Sequence, residues 1–590
     1  MRRIAAGVLM VCLGAPTGGP WSAHLEAQAG AGAPAGGGGQ QGRGAQLPPR
    51  AGRFAEPLDA AKGTAVLRGQ ILAADTGTPI RRAQVRASAQ NVRQSRLAVT
   101  DAEGRFEIRD LVAARYTLTA SKGGFVTLQY GQRRPGESGT PLEVVDGQTL
   151  DKLVIGLPRG SVIGGRVTDE YGEPVANAAV MALRYAYAGG ARRLVPAGAR
   201  DTTDDQGGYR LFGLPPGEYL VSATLRNGNV TDPGDDPSGY APTYFPGTPS
   251  PIEAQRVRLD LAQENTSVSF GLVATRLVQL SGQVVSSTGT PPAGGVVVLT
   301  GVGGARDVSA LLSAGGGRID GTGAFRVGNV PPGRYRLQVR TGSPRGAGGE
   351  FGRMDITVGA EDVEGLTLVT APAGRIVGTV ATDTGEPLPT TGQPVQVVTR
   401  PASPDSSPLG GGGGRGGGGG TQARVSNTGA FDIGNVTDPR YVRVNAPQGW
   451  TLKSVIAGGE DITDIPLDVP PGQQVSGVQV IITHKVSGAI GTVLDDRGLP
   501  VLDATVVMFP ADENRWTYQS RFIKAARPDQ EGKFRVTDLP PGDYLAVAVQ
   551  GLENGRAGDP EFLASVVDLA TSVTIDEGET KTVKLGLRGR

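Results

Sequence analysis

Thr203 to Tyr219 reads Thr-Asp-Asp-Gln-Gly-Gly-Tyr-Arg-Leu-Phe-Gly-Leu-Pro-Pro-Gly-Glu-Tyr, which spells turn, strand, turn, strand. Asp204 is a side chain that bonds the backbone two residues on, and Gly207 takes positive φ without a Cβ clash. Tyr209 and Leu211 alternate with Arg210, as a half-buried strand requires. Pro216-Gly217 has the composition of a type II turn. Tyr219, Val221 and Ala223 then place one face of the next strand.

The pattern occurs five times. Asp101, Asp204, Asp320 and Asp529 each precede by three residues Gly104, Gly207, Gly323 and Gly532; in the fourth copy Ser426 precedes Gly429. Phe106, Tyr209, Phe325, Phe431 and Phe534 each lie ten residues before Tyr116, Tyr219, Tyr335, Tyr441 and Tyr544. Pro-Pro-Gly fills the second turn of copies two, three and five. Copies one and four carry Ala113-Ala114-Arg115 and Asp438-Pro439-Arg440 there, so those turns should differ. Upstream of every motif a β-type run ends in Gly-x-Pro: Gly77/Pro79, Gly172/Pro174, Gly289/Pro291, Gly385/Pro387 and Gly498/Pro500. Repetition at a period of about 100 residues marks an array of immunoglobulin-sized sandwiches.

A Gly-x-Val strand, a Gly-x-Pro turn, a second strand, Thr-Asp-x-x-Gly-x-Phe and Leu-Pro-Pro-Gly-x-Tyr together resemble the carboxypeptidase regulatory-like domain. That family is also called transthyretin-like or prealbumin-like, and it is close in fold to Cna B-type repeats and starch-binding-like sandwiches. The resemblance spans residues 64–590 and implies a β-sandwich of about seven strands in each repeat. In carboxypeptidases such a domain sits beside the catalytic domain and is not itself catalytic. The expected fold is therefore all-β. It is a tandem array of five sandwiches at 64–159, 160–275, 276–372, 373–483 and 484–590. The short joints suggest beads in a semi-rigid row.

Residues 1–29 have the form of a Sec-type signal peptide. Arg2 and Arg3 precede an apolar run from Ile4 to Ala15, too short to span a bilayer, and Ala27-Gln28-Ala29 offers a cleavage site. Lipidation at Cys12 is disfavoured by the bulk of Val11 and by its place inside the apolar run. Residues 30–63, rich in Gly, Ala, Pro and Gln, form an expected disordered linker, and Gly410–Gly420 an expected disordered loop within the fourth repeat. The expected location is secreted or periplasmic, with no membrane span.

The 58 Lys and Arg balance 57 Asp and Glu, without the basic stripe of a nucleic-acid binder. Cys12, in the leader, is the one cysteine, so the mature chain has neither disulfide nor thiolate chemistry. His24 and His484 are the histidines. No Gly-x-Ser-x-Gly elbow, His-Glu-x-x-His or phosphate loop is present. Gly301 and Gly303 begin a dinucleotide-like loop, but Arg306 stands where its third glycine belongs and no βαβ unit surrounds it. Asp232, Asp235 and Asp236 lack the EF-hand spacing and read as a solvated turn. The expectation is a chain with no enzymatic activity, no cofactor and no metal.

Aromatics are scarce, so adjacent rings stand out. Trp516 and Tyr518, and Tyr185 and Tyr187, are i, i+2 pairs that share a face if they lie on strands. They are the candidate ligand platform, with Asp512, Glu513, Asn514 and Arg515 beside the first pair. The alternative is that Trp516 closes an open end of the sandwich or that these rings line a joint between repeats. A structural or protein-interaction role at the envelope or outside the cell is the leading expectation. Envelope proteins or polysaccharide are the expected partners. Carbohydrate binding is the alternative, and an accessory role to a separate peptidase is a third. The leader yields a direct prediction: N-terminal sequencing of exported protein should begin at Gly30, and retention of Met1 on cytoplasmic protein would contradict it.

Overall fold

A computed structural model describes residues 63–588 except 90–93, 135, 189, 226–237, 293, 302–314, 343–348, 391–392 and 404–421. The expected signal peptide, nearly all of the linker, the 410–420 run and Asp232, Asp235 and Asp236 lie outside the described residues.

The chain is a tandem series of β-sandwiches, and the same elements build each copy of the motif. The first strand, Ala65–Ala73 in the first repeat, lies between the motif strand Arg105–Leu111, antiparallel to it, and the last strand Thr149–Leu157, parallel to it. A second sheet carries Gln84–Ala89 between Gln94–Val99 and Ala114–Ser121. Inward residues alternate along these strands, so Leu67, Ile71, Val85, Phe106, Tyr116 and Leu118 meet in one core. The arrangement recurs around Ser161–Thr168, Gly374–Thr382 and Gly488–Leu494.

The third repeat differs. Its seven strands hydrogen-bond all the way round, because Ile319 pairs Phe325 and Glu350 pairs Pro372, joining the edges of the two sheets into a closed barrel. Closure removes the open edges that a sandwich must protect.

One close approach recurs in every copy. Gly69, Gly165, Gly282, Gly378 and Gly491 sit in mid-strand, each directly opposite the motif aromatic Phe106, Tyr209, Phe325, Phe431 or Phe534. The carbonyls of Leu153, Val268, Leu366, Val478 and Val583 approach from the far side, where a Cβ on the glycine would overlap them. A Cβ would also lie 2.8 Å from Phe106 and 2.9 Å from Phe534. Glycine here lets the aromatic ring cross over the strand. In the second repeat the ring is tyrosine, and its hydroxyl donates to that same Val268 carbonyl at 2.5 Å.

The motif aspartates act as turn formers. Asp204 Oδ1 accepts from Gln206 N at 3.0 Å and Gly208 N at 2.7 Å, and Asp101, Asp320 and Asp529 repeat this geometry. Ser426 reaches only the more distant amide, that of Ala430, at 3.0 Å. The second turn departs from the type II geometry expected. Gly217 has φ of 154° rather than about 80°. Left-handed backbone falls instead at Asp110, Gly213, Asn329, Asn435 and Asp538, just before the turn. In the first four repeats the ladder to the first strand shifts register beside that residue. The following tyrosine then fixes the turn: Tyr116, Tyr219, Tyr335 and Tyr544 hydroxyls each donate to the carbonyl four residues back, at 2.5–3.0 Å. This is the tyrosine corner of immunoglobulin-like sandwiches. The fourth repeat, with Asp438-Pro439-Arg440, instead sets Arg443 over the Tyr441 ring at 4.9 Å.

The fifth repeat packs against the first two. An insert between the strands Gly542–Gln550 and Thr571–Ile575 carries Pro560–Val566, the one α-helix among the described residues. Asp559 caps it and Pro560 occupies its first turn, a start signal in the sequence. Phe562, Leu563 and Val566 bury one side of it. No described helix is long and apolar enough to cross a membrane.

Two substitutions test the glycine–aromatic approach by chemical denaturation. Phe534→Ala should cost about 3–5 kcal/mol, as for truncation of a buried Phe. Gly491→Ala should exceed the about 1–3 kcal/mol usual for overpacking, because the added methyl meets backbone. A near-neutral result for either would overturn the register described.

Candidate functional site

The strongest candidate ring lies in the core. Asp512 caps a 3₁₀ turn, Glu513–Arg515, by accepting from Asn514 N at 3.1 Å. Trp516 follows on irregular backbone, not on a strand, so the i, i+2 argument does not apply to it. It is 8% exposed. Its indole N–H donates to Pro510 O at 2.8 Å, and its ring stands edge-on to Phe509 at 5.7 Å. With Phe562, Leu563 and Val566 it covers the outer face of the sheet that carries Val507, Phe509, Val547 and Val549. Its ring is therefore unavailable as an open platform. Tyr518 is half-buried in the next turn. Arg515 lies over Phe522 at 4.5 Å.

Tyr185 and Tyr187 do lie on one strand, Ala179–Ala188, which forms a hairpin with Ala191–Thr202. Both rings are in contact with guanidinium groups. Arg192 and Arg256 lie 5.1 and 5.9 Å from the Tyr185 ring, and Arg556 of the fifth repeat lies 5.6 Å from that of Tyr187. Arg556 also reaches Phe562, at 5.3 Å. A Cβ on Gly555 would strike the Tyr187 carbonyl, which shows how closely the two repeats meet.

The contact between the fifth and first repeats is polar and largely enclosed. Gln530 accepts from Glu143 N at 3.0 Å and donates to Glu143 O at 3.1 Å, so its side-chain amide completes a bridge across the joint. Arg115 donates to Arg527 O at 2.6 Å. Arg527, 5% exposed, donates to Ser138 O. Asn554 N donates to Gly136 O at 2.8 Å, and Arg133 pairs with Asp503 at 2.7 Å. Burial pulls both the Arg115 and Arg527 guanidiniums down from their ordinary value. Glu143 and Asp529 oppose this at Arg115, and Glu137 and Asp503 at Arg527.

Where the first, second and fifth repeats meet, they leave a cleft of about 420 Å³. Arg184, Arg192, Arg256, Glu218, Glu553 and Asn554 supply its polar lining, with Tyr185 and Tyr219 beneath. Arg256 pairs with Glu218 at 2.9 Å. Burial pushes Tyr219 up to about 12, against the pull of Arg184, so its hydroxyl stays neutral. The sequence alternative that these rings line a joint between repeats agrees with Tyr187 meeting Arg556 and Gly555, but nothing in the sequence points to the fifth repeat as the neighbour.

Other polar residues serve joints. His484 stands edge-on to Trp450 at 5.8 Å. Lys453 and Lys485 converge on Glu577 at 2.9 and 3.3 Å and hold its carboxyl below the usual range. Arg521 pairs with Asp464 across the same joint. Such exposed pairs each contribute at most about 1 kcal/mol. Among the described residues, no group of three or more His, Cys, Asp or Glu could hold a metal ion.

The sequence pattern of the carboxypeptidase regulatory-like domain matches residues 66–155 and 162–237, so these two stretches are similar to that domain. No curated protein matches the chain. Among solved structures, the Bacillus anthracis TIE protein is 11% identical, with 73% of each chain covered and a TM-score of 0.15. A streptococcal ancillary pilin is 15% identical over 52% of this chain and 99% of its own, with a TM-score of 0.18. The minor pilin of Streptococcus agalactiae is 13% identical over 35% and 95%, with a TM-score of 0.20.

The placement of Trp516 sets an expectation for stability. Trp516→Ala should lower the melting temperature and cost about 3–5 kcal/mol, read by thermal and denaturant unfolding. An unchanged melting temperature would place the ring at the surface after all.

Proposed function

We propose that this chain, which opens on stretches similar to the carboxypeptidase regulatory-like domain, is a non-catalytic repeat protein. Its role is structural or protein-interactive, at the cell envelope or outside the cell, after export by the leader at 1–29. The repeats are bounded at 64–159, 160–275, 276–372, 373–483 and 484–590. One observation carries the reading: the residues that recur in every repeat are used by the fold. The aspartates, with Ser426 in the fourth repeat, make turns, the glycines admit the aromatic rings, and the tyrosines of the other four repeats close corners. No recurring group is left to share a proton or attack a substrate. The fifth repeat, docked on the first two, adds fixed spacing between surfaces, which suits a scaffold or a binding partner. Carbohydrate binding has less support, because its best ring, Trp516, is covered.

Cross-linking in intact cells tests the proposal. Tagged full-length protein should be recovered outside the cytoplasm with reproducible cross-links to envelope proteins, and should bind no immobilised glycan. Turnover of a peptide, ester or glycoside by the purified chain would overturn it, as would glycan binding without protein cross-links.

A further inference from the structure

We propose that the cleft between the first, second and fifth repeats is a binding site for the carboxylate side chains of an acidic peptide segment. This deepens the protein-interaction reading and rests on it. Arg184, Arg192 and Arg256 face Glu218 and Glu553 there, so cations exceed anions. Glu218 is already engaged by Arg256 at 2.9 Å. Arg184 Nε is enclosed without a hydrogen-bond partner. A buried N–H without an acceptor is destabilising, and a carboxylate oxygen supplies the acceptor when the half-buried side chain turns toward the cleft.

The aromatic residues favour a peptide over a sugar. Tyr185 has guanidiniums 5.1 and 5.9 Å away, and Tyr187 has one at 5.6 Å, so a sugar would have to displace these cations to stack on either ring. Arginine held against an aromatic ring has its planar donor edge fixed, which suits bidentate capture of a carboxylate. A volume of about 420 Å³ lies at the small end of ligand sites. It fits one or two acidic side chains rather than a long glycan. The lining residues belong to three repeats, so an occupant bridges them and stabilises their docked arrangement by linkage.

The test is calorimetric titration of the full exported chain with acetyl-Glu-Glu-amide at low salt, with acetyl-Gln-Gln-amide and oligogalacturonate as parallel arms. The expected result is saturable binding of the acidic peptide alone, weakened by salt and accompanied by a rise in melting temperature. Arg184→Ala should weaken it about ten- to hundredfold. Arg184→Lys keeps the charge and the aliphatic stem but loses the planar donor pair, and guards against misfolding. Weakened binding in this variant at unchanged melting temperature supports the site. Full affinity in it overturns the assignment of Arg184, and binding of none of the three ligands overturns the site. Binding of oligogalacturonate in place of the peptide overturns the peptide assignment. None of these failures touches the envelope cross-links, whose loss would instead remove the broader reading.

Discussion

The fold depends on a missing side chain. In each repeat the first strand passes between a motif strand and a parallel last strand, and at its centre the ring from one neighbour and the carbonyl of the other come too close for a Cβ. The glycine there carries the usual entropic cost of glycine in a strand. In return an aromatic side chain reaches across the strand into the core. The register of three strands is fixed at that point, because slipping any of them by one residue would turn the ring outward and set a bulkier residue against the carbonyl. Neither the turn aspartates nor the tyrosine corners could do this alone, since they organise local backbone and leave the pairing of distant strands open.

The second level of organisation comes from sheets buried on both faces. In the fifth repeat Val506, Met508, Ala546 and Ala548 point to the main core, while Val507, Phe509, Val547 and Val549 point away from it, under Trp516 and the helix. The second repeat repeats this on a smaller scale with Leu183, Leu194, Leu220 and Tyr244. The cover of the fifth repeat also supplies Asn554, Gly555 and Arg556, which meet the first two repeats. A local answer to exposed apolar surface thus becomes the means by which distant repeats touch.

Much of the fold was legible in the sequence because repetition separates signal from chance. Four copies of Asp-x-x-Gly-x-aromatic and a fifth with Ser426 in place of the aspartate, each followed by tyrosine, specify strand, turn and core face without any structure. The left-handed residue ahead of each corner was also visible, as Asp110, Gly213, Asn329, Asn435 and Asp538, but Pro216-Gly217 drew attention away from it. The helix had a written start at Asp559-Pro560, and the unbroken apolar runs around Val507 and Val547 signalled a covered outer face. The cleft was not legible. Its Arg184, Arg256 and Asn554 are ordinary surface residues in sequence, and what gives them a common place is the contact of repeats separated by hundreds of positions. Patterns of period two or one hundred carry no record of such a meeting.

The order of strands has a mechanical consequence. In the first, third, fourth and fifth repeats the strand nearest the entering chain lies parallel to, and bonded along its length with, the strand nearest the departing chain. Opposed tension on the two ends of such a repeat runs along this pair and loads its hydrogen bonds together, in shear, instead of opening them one after another as a zipper. The close carbonyl–glycine approach in the middle of that pair lies directly in the line of force. A chain built this way resists stretching at the seam where its own beginning and end run side by side.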